Sequence, residues 1–168
     1  SMPMQELWRL STGTAFSTMQ VDVAKRQGNR LIPYRKNYPE APKNGHTYLL
    51  ADRGAFAYDP QVGVYEDCHE LDFASFFPNL MVKRNLSPET VLCDCCDPHD
   101  PSHPPELFVP HVNYHVCRRR NGINGETLAR LIDRRRVYKQ RRKTQPEELE
   151  KWQARSDILK MELVCSFG

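Results

Sequence analysis

The stretch Glu70-Leu71-Asp72-Phe73-Ala74-Ser75-Phe76-Phe77-Pro78 decides how the rest of this 168-residue chain is read. Residues 64–73 have the composition of a strand, and Ser75-Phe76-Phe77-Pro78-Asn79 then turns the chain. An acidic residue therefore sits at the end of an apolar strand, with backbone N–H groups just beyond it. Phosphoryl transfer uses such an arrangement, because a carboxylate can hold Mg²⁺ while amides cradle phosphate oxygens. Taken alone, an aspartate at a strand end is more often a turn former.

Working upstream, residues 47–57 are a second strand candidate, broken by Asp52-Arg53-Gly54, and Asp59-Pro60-Gln61-Val62-Gly63 is a turn signal. Residues 3–45 are polar and punctuated by Gly and Pro. They hold one helix around 16–26, where Phe16, Met19 and Val23 recur at helical spacing, and an extended linker over 31–45. Downstream, residues 80–84 suit a short helix. Residues 93–110 form a loop rich in Cys, His, Pro and Asp that needs a clip, and 111–117 return to an extended pattern. Two helices follow. The first, over 125–143, places Leu128, Leu131, Ile132 and Tyr138 along one flank. The second opens at Pro146 with Glu147 and Glu148 near the positive end of its dipole, and its apolar face runs Leu149, Trp152, Leu159, Leu163. Thr144-Gln145 is short enough to force an antiparallel hairpin. The expected fold is α+β: antiparallel strands with a helix, followed by a two-helix antiparallel hairpin.

The net charge of +3 hides an asymmetry. Residues 118–160 carry fourteen Lys/Arg against six Asp/Glu, a local +8, which leaves −5 on the remainder. Such a basic segment points either to a phosphate-rich partner or to a solvated helical face laced with ion pairs. With 39% hydrophobic and 27% charged residues the composition is globular. No apolar run is long enough to span a membrane, and no signal peptide is visible, so a cytoplasmic, nucleoid-associated protein is expected.

The ordered motifs resemble those of family B DNA polymerases. That family carries Asp-x-x-Ser-Leu-Tyr-Pro-Ser preceded by Leu, and this chain has Leu71-Asp72-Phe73-Ala74-Ser75-Phe76-Phe77-Pro78-Asn79. The resemblance implies that Asp72 is the first catalytic, metal-binding aspartate, with the backbone carbonyl of Phe73 beside it. It implies that Ser75, Phe76 and Phe77 line the nucleotide, Phe77 standing where the family usually has a tyrosine that rejects a ribose 2′-OH. Gly54, Ala55 and Phe56, followed by Tyr58-Asp59-Pro60, resemble the family's Gly-Gly-Tyr element, which touches the DNA backbone. Residues 158–168 resemble its Leu-Lys-x-x-x-Asn-Ser-x-Tyr-Gly motif. Lys160 falls on the triphosphate-contacting lysine, Phe167 and Gly168 on the Tyr-Gly pair at the nascent base pair, and Val164 and Cys165 replace Asn and Ser. Arg135 and Lys139, four apart on the first helix, match the pair that grips the β- and γ-phosphates. The resemblance covers 53–168. It divides the chain into a connector (3–45), the start of a palm (46–92), a Cys/His-rich insertion (93–118) and a fingers hairpin leading back to the palm (119–168).

The Cys93-x-x-Cys96 spacing is that of a metal knuckle. If zinc binds, Cys93, Cys96 and Cys117 are the best ligands, with His115 or His99 fourth. A disulfide to Cys117, as some archaeal members place across this stretch, or unlinked thiols remain alternatives. The resemblance thus implies a DNA-directed DNA polymerase using two Mg²⁺ ions, with primer-template DNA and deoxynucleoside triphosphates as partners. The second catalytic aspartate segment, the thumb and the exonuclease are not seen in this sequence, and on its own the chain is expected to be inactive. Two rivals stand beside it: a degenerate family B relative acting as an accessory protein, and a zinc-stabilised nucleic-acid-binding module.

Overall fold

The computed structural model describes residues 11–28, 30, 42–51, 54 and 58–166. Among the described residues there are five α-helices: α1 (Thr12–Arg26), α2 (Gly45–Ala51), α3 (Phe76–Lys83), α4 (Ile123–Thr144) and α5 (Leu149–Cys165). Between α3 and α4 lies a two-stranded antiparallel ladder, β1 (Phe108–Val109) and β2 (Tyr114–His115), pairing Phe108 with His115 and Val109 with Tyr114. A bridge between Val91 and Val116 extends the clasp.

The hairpin forms as its pattern dictates. One 3₁₀ turn, Pro146–Glu148, separates α4 from α5 and starts with proline, where a missing N–H costs nothing. Trp152 is buried against Tyr138, ring centroids 5.7 Å apart, and Arg141, Lys151 and Arg155 lie over its ring at 4.8, 4.8 and 5.1 Å. These cation–π contacts let a strongly basic hairpin keep its distal half closed. Nearer its base, Leu128 and Leu131 of α4 meet Leu163 of α5 and Phe16 of α1, with Met19, Met81, Val82, Ile132 and Leu159 packed around them. A second small cluster joins Val23 and Ala24 of α1 to Ile123 at the start of α4. Helix α1 is capped by Ser11, whose Oγ accepts from Thr14 N, and it packs across both hairpin helices. Helix α3 packs against α4 at Gly125, where even an added Cβ would be in ordinary van der Waals contact, 3.8 Å from Met81 O.

The two strand candidates are corrected. Residues 45–51 are helical, because Asn44 Oδ1 accepts from Thr47 N and starts a turn. Residues 64–73 are irregular, bent at Glu66-Asp67 with Asp67 at φ 55°, and pair with no strand among the described residues; their apolar side chains stay in solvent, Val64, Leu71 and Phe73 being 96, 97 and 76% exposed. A strand needs a ladder partner, and composition alone does not supply one. The short helix expected over 80–84 begins at Phe76, so Pro78 lies in its first turn and the chain turns one step earlier, at Ala74-Ser75. The mixed helical and two-stranded architecture remains α+β.

Candidate nucleotide-binding cleft and cysteine cluster

Asp72 lies near the end of the irregular segment, and the backbone after it is forced round by Ser75, which adopts φ 50° and ψ 53°. That left-handed conformation is costly for serine and needs support. Asn79 provides it: its Nδ2 donates to Ala74 O at 2.9 Å and Ser75 O at 3.1 Å, and its N–H donates to Ser75 O at 3.0 Å. The turn sets Asp72, Ser75, Phe76 and Phe77 on one side of a cleft of about 280 Å³. The opposite wall is Arg135 and Lys139 from α4 and Lys160 and Val164 from α5. The aspartate and the three cations that the resemblance implied therefore face one space.

Arg135 also ties the walls together. Its Nε donates to Ser156 O at 3.3 Å, across the hairpin, and its Nη1 to Ser75 Oγ at 3.5 Å. Lys139 is held below the usual lysine range, first by the charge of Arg135, then by partial burial and by Arg142, Lys160 and Lys143. Cations crowd this wall more closely than their own acids can offset, so an anion is the missing complement. Phe76 meets Phe73 in a tilted contact and Phe77 edge-on, ring centroids 5.3 Å apart in each pair, and Phe76 and Phe77 line the cleft with Asp72. Of the expected DNA contacts, Gly54 is exposed, while Ala55, Phe56, Phe167 and Gly168 lie outside the described residues.

The donor set of this cleft suits Mg²⁺ in kind. Asp72 offers hard carboxylate oxygens, and magnesium is usually bound through one or two carboxylates plus substrate phosphates rather than by a closed protein cage.

A second constellation lies at the base of the hairpin. The thiols of Cys93, Cys95, Cys96 and Cys117 all fall within 4.8 Å of one another. The residue grouped with Cys93, Cys96 and Cys117 is Cys95 rather than His115 or His99. His115 is turned to the Cys93 carbonyl, 3.0 Å from its Nε2, and His99 is exposed. The cysteines are free thiols, so the disulfide alternative is not formed. Burial and the neighbouring thiols push the Cys93 thiol up to about 12. Burial also opposes the Cys117 thiolate, but N–H groups of Arg119 and Arg120 and the thiols of Cys95 and Cys93 outweigh it and hold Cys117 down at about 6.

The first turn of α4 is built from this base. Its N-cap is Gly122, which has no side chain to cap with. The caps come from the preceding loop: Glu89 Oε1 accepts from Ile123 N at 2.6 Å, Ser87 Oγ from Asn124 N at 3.3 Å, and Asn85 Oδ1 from Gly122 N at 2.7 Å. Arg30 braces the same turn, donating to Asn121 O at 2.7 Å with its Nη2 3.7 Å from Glu89. Asn79, Asn85, Glu89 and Ser156 were missed by sequence reasoning.

Comparison with known proteins agrees with this geometry. The family model for DNA polymerase family B matches residues 18–166. The chain is 32% identical over 167 residues to DNA polymerase 2 of Saccharolobus solfataricus, covering 99% of this chain and 23% of that protein. It is 40% identical over 92 residues to DNA polymerase 1 of Aeropyrum pernix, covering 54% of this chain and 9% of that protein. The solved structure of the family B DNA polymerase from the hyperthermophilic archaeon Pyrobaculum calidifontis superposes with a TM-score of 0.58 at 28% identity, over 99% of this chain and 20% of that one. The chain thus spans under a quarter of these relatives. The match runs from within α1 to the end of α5 and takes in both walls of the cleft, and on that ground the chain belongs to DNA polymerase family B.

Proposed function

We propose that this chain supplies the nucleotide-binding wall and the first catalytic carboxylate of a DNA-directed DNA polymerase. In the whole protein a primer 3′-hydroxyl would attack the α-phosphorus of a templated deoxynucleoside triphosphate and release pyrophosphate. The observation that carries this reading is the sharing of one cleft by Asp72 with Arg135, Lys139 and Lys160. Residues 46–92 then serve as the start of the palm and 119–168 as the fingers hairpin, with primer-template DNA and deoxynucleoside triphosphate as partners. The place of action would be the cytoplasm, on nucleoid DNA; no described helix is long and apolar enough to cross a membrane.

Each residue has a separable role. Arg135 presents a planar fork suited to two phosphate oxygens, while Lys139 and Lys160 act as point charges. Their repulsion in the free cleft is relieved as the triphosphate enters, so the wall favours the anion before any chemistry begins. Phe77 closes the sugar side and, lacking a hydroxyl, excludes a 2′-OH by bulk alone. Asp72, with the Phe73 carbonyl, would hold Mg²⁺, which when bound supplies charge stabilisation to the transferring phosphoryl group. The cysteine cluster takes no part in this chemistry; its soft thiolates suit a structural zinc ion instead.

Of the rival readings, the degenerate accessory protein draws on Val164, which sits at the cleft without the polar amide the family uses there. A nucleic-acid module alone leaves the pairing of Asp72 with three cations without a purpose. Primer extension by the polypeptide that carries this segment in its complete reading frame decides between them. Templated extension abolished by Asp72→Asn supports the polymerase; DNA binding with no extension, at any Mg²⁺ or nucleotide concentration, supports the accessory protein and refutes the reading.

A further inference from the structure

We propose that Cys93, Cys95, Cys96 and Cys117 bind one zinc ion as four thiolates, and that this ion pins the block on which the first turn of α4 is built. The sulfurs stand 3.4 Å (Cys95–Cys117), 3.6 Å (Cys93–Cys95) and 3.9 Å (Cys95–Cys96 and Cys96–Cys117) apart, with all four within 4.8 Å. A regular tetrahedron with Zn–S bonds of about 2.3 Å has sulfur–sulfur edges of about 3.8 Å. The observed spacings bracket that edge. They are too long for a disulfide, which needs about 2.05 Å. A multi-iron cluster spreads its cysteines over two or more irons and so needs some of the sulfurs further apart. Zinc would be held by four thiolates, releasing to solvent the protons of those still present as thiols, and leave two net negative charges on the site.

The surroundings match such a centre. Cys93, Cys96 and Cys117 are buried and Cys95 is half-buried, which protects the thiolates from oxidation. The N–H groups of Arg119 and Arg120 point at the Cys117 sulfur, and the Cys95 N–H points at the Cys93 sulfur. The Arg120 guanidinium reaches the sulfurs of Cys117 and Cys95, supplying charge where the bound site would carry its excess. His115, rejected as a ligand, holds the Cys93 carbonyl and so supports the ligand loop from outside. The remaining cysteines, Cys68 and Cys165, lie outside the cluster.

From the cluster, continuous hydrogen bonding leads to α4. Cys117 N donates to Thr90 O at 2.8 Å, and Leu92 N to His115 O at 2.9 Å. Asn85 Nδ2 donates to Cys117 O at 2.9 Å and to Arg120 O at 2.8 Å, and the same side chain accepts from Gly122 N. The two ligand-bearing segments and the capping loop thus move as one piece. Without a metal, only short hydrogen-bonded stretches and small apolar contacts hold that piece together. Zinc would convert it into a fixed footing for the helix that carries Arg135 and Lys139.

The test needs neither DNA nor nucleotide, so its outcome is independent of the polymerase reading. The chain is purified without chelator, its metals are measured, and zinc is then replaced by Co²⁺. About one zinc per chain is expected, released by a mercurial thiol reagent, and the Co²⁺ form should show the near-ultraviolet thiolate charge-transfer and intense visible bands of a tetrahedral sulfur site. Cys95→Ser should weaken Co²⁺ binding beyond the roughly 10- to 100-fold typical of an outer-shell partner, whereas Cys68→Ser should leave it unchanged. Zinc removal should speed amide exchange at Ile123 and Asn124 more than at Leu159. Absence of stoichiometric zinc together with no cobalt–thiolate spectrum from the unaltered chain overturns the site, whatever the variants do. Iron with inorganic sulfide, or oxidised cysteine pairs in the denatured chain, overturns it equally. An unchanged Co²⁺ spectrum in Cys95→Ser overturns the four-thiolate set, and unchanged exchange at Ile123 overturns the pin.

Discussion

Replacing Lys139 by methionine separates the charge logic of the cleft from simple stability. Lys139 is exposed, lines the cleft with Asp72, and is surrounded by Arg135, Arg142, Lys160 and Lys143. Removing its charge relieves repulsion, but solvent screening limits the gain to a few tenths of a kcal/mol, or about 1 °C in Tm. The effect on a bound triphosphate has the opposite sign. A charge-assisted contact contributes about 1.5–3 kcal/mol, equivalent to about 10- to 150-fold in Kd. Because the cleft is open to water, the lower end applies, about 10-fold. Arg134→Met removes the same charge from the other face of α4, beside Tyr138 and Arg155, and should cost only about twofold through long-range attraction. Titration calorimetry with a deoxynucleoside triphosphate and Mg²⁺ reads both. The pH dependence follows from the lowered lysine: the free cleft loses the Lys139 proton at lower pH than an ordinary lysine would, and a bound triphosphate restores it. Affinity should therefore fall on the alkaline side, with proton uptake on binding, and Lys139→Arg should remove that fall. Equal losses from Lys139→Met and Arg134→Met, or no loss from either, would refute the assignment of this wall to the triphosphate.

Three further outcomes test the frame that positions the cleft. Leu128→Ala empties a fully buried site between Phe16, Leu131 and Leu163 and should cost about 2–5 kcal/mol in denaturant unfolding. Gly122→Ala places a Cβ 2.7 Å from Ser87 Cβ and 3.2 Å from Asn85 Oδ1, where the cap of α4 is formed; about 1–3 kcal/mol of destabilisation is expected, with amide exchange rising first at Ile123 and Asn124. Glu162 is buried with one carboxylate oxygen unpartnered, and burial pushes its carboxyl above the usual range. Stability is lost as pH rises from the unfolded carboxyl pKa through that raised value, so Glu162→Gln should raise Tm at pH 8 and leave it unchanged at pH 4.

The parts that were legible in the sequence are those fixed by local rules. Helices α4 and α5 follow from the spacing of Leu128, Leu131 and Leu163 and from Pro146 at a helix start, whereas Arg135, Lys139 and Lys160 were marked out by the resemblance of their motifs rather than by any local rule. What failed depends on partners distant in the chain. Residues 64–73 have strand composition, yet no strand pairs with them among the described residues. Pro78 read as a breaker, although the first turn of α3 tolerates it. The fourth thiol was hidden because Cys93-x-x-Cys96 satisfies a familiar spacing and draws attention past Cys95, which lies between them. The capping of α4 by Glu89 spans 34 residues, beyond the reach of any local pattern.

The two halves of the cleft are held with unequal firmness, and Arg135 is where they meet. The cationic wall belongs to the packed unit of α1, α3, α4 and α5, with its core at Leu128 and Leu163. The carboxylate sits at the end of an irregular segment whose apolar side chains are in solvent, and it is fixed mainly through the turn that Asn79 ties to α3. The Arg135 guanidinium bridges the two, with one nitrogen on the Ser156 carbonyl of α5 and another on Ser75. A lysine could supply the charge but not two donors in a fixed plane. Arg135 therefore sets the width of the cleft as well as its sign. An incoming triphosphate that draws this guanidinium toward its own oxygens would loosen the Ser75 contact in the same step, coupling phosphate capture to the placement of Asp72.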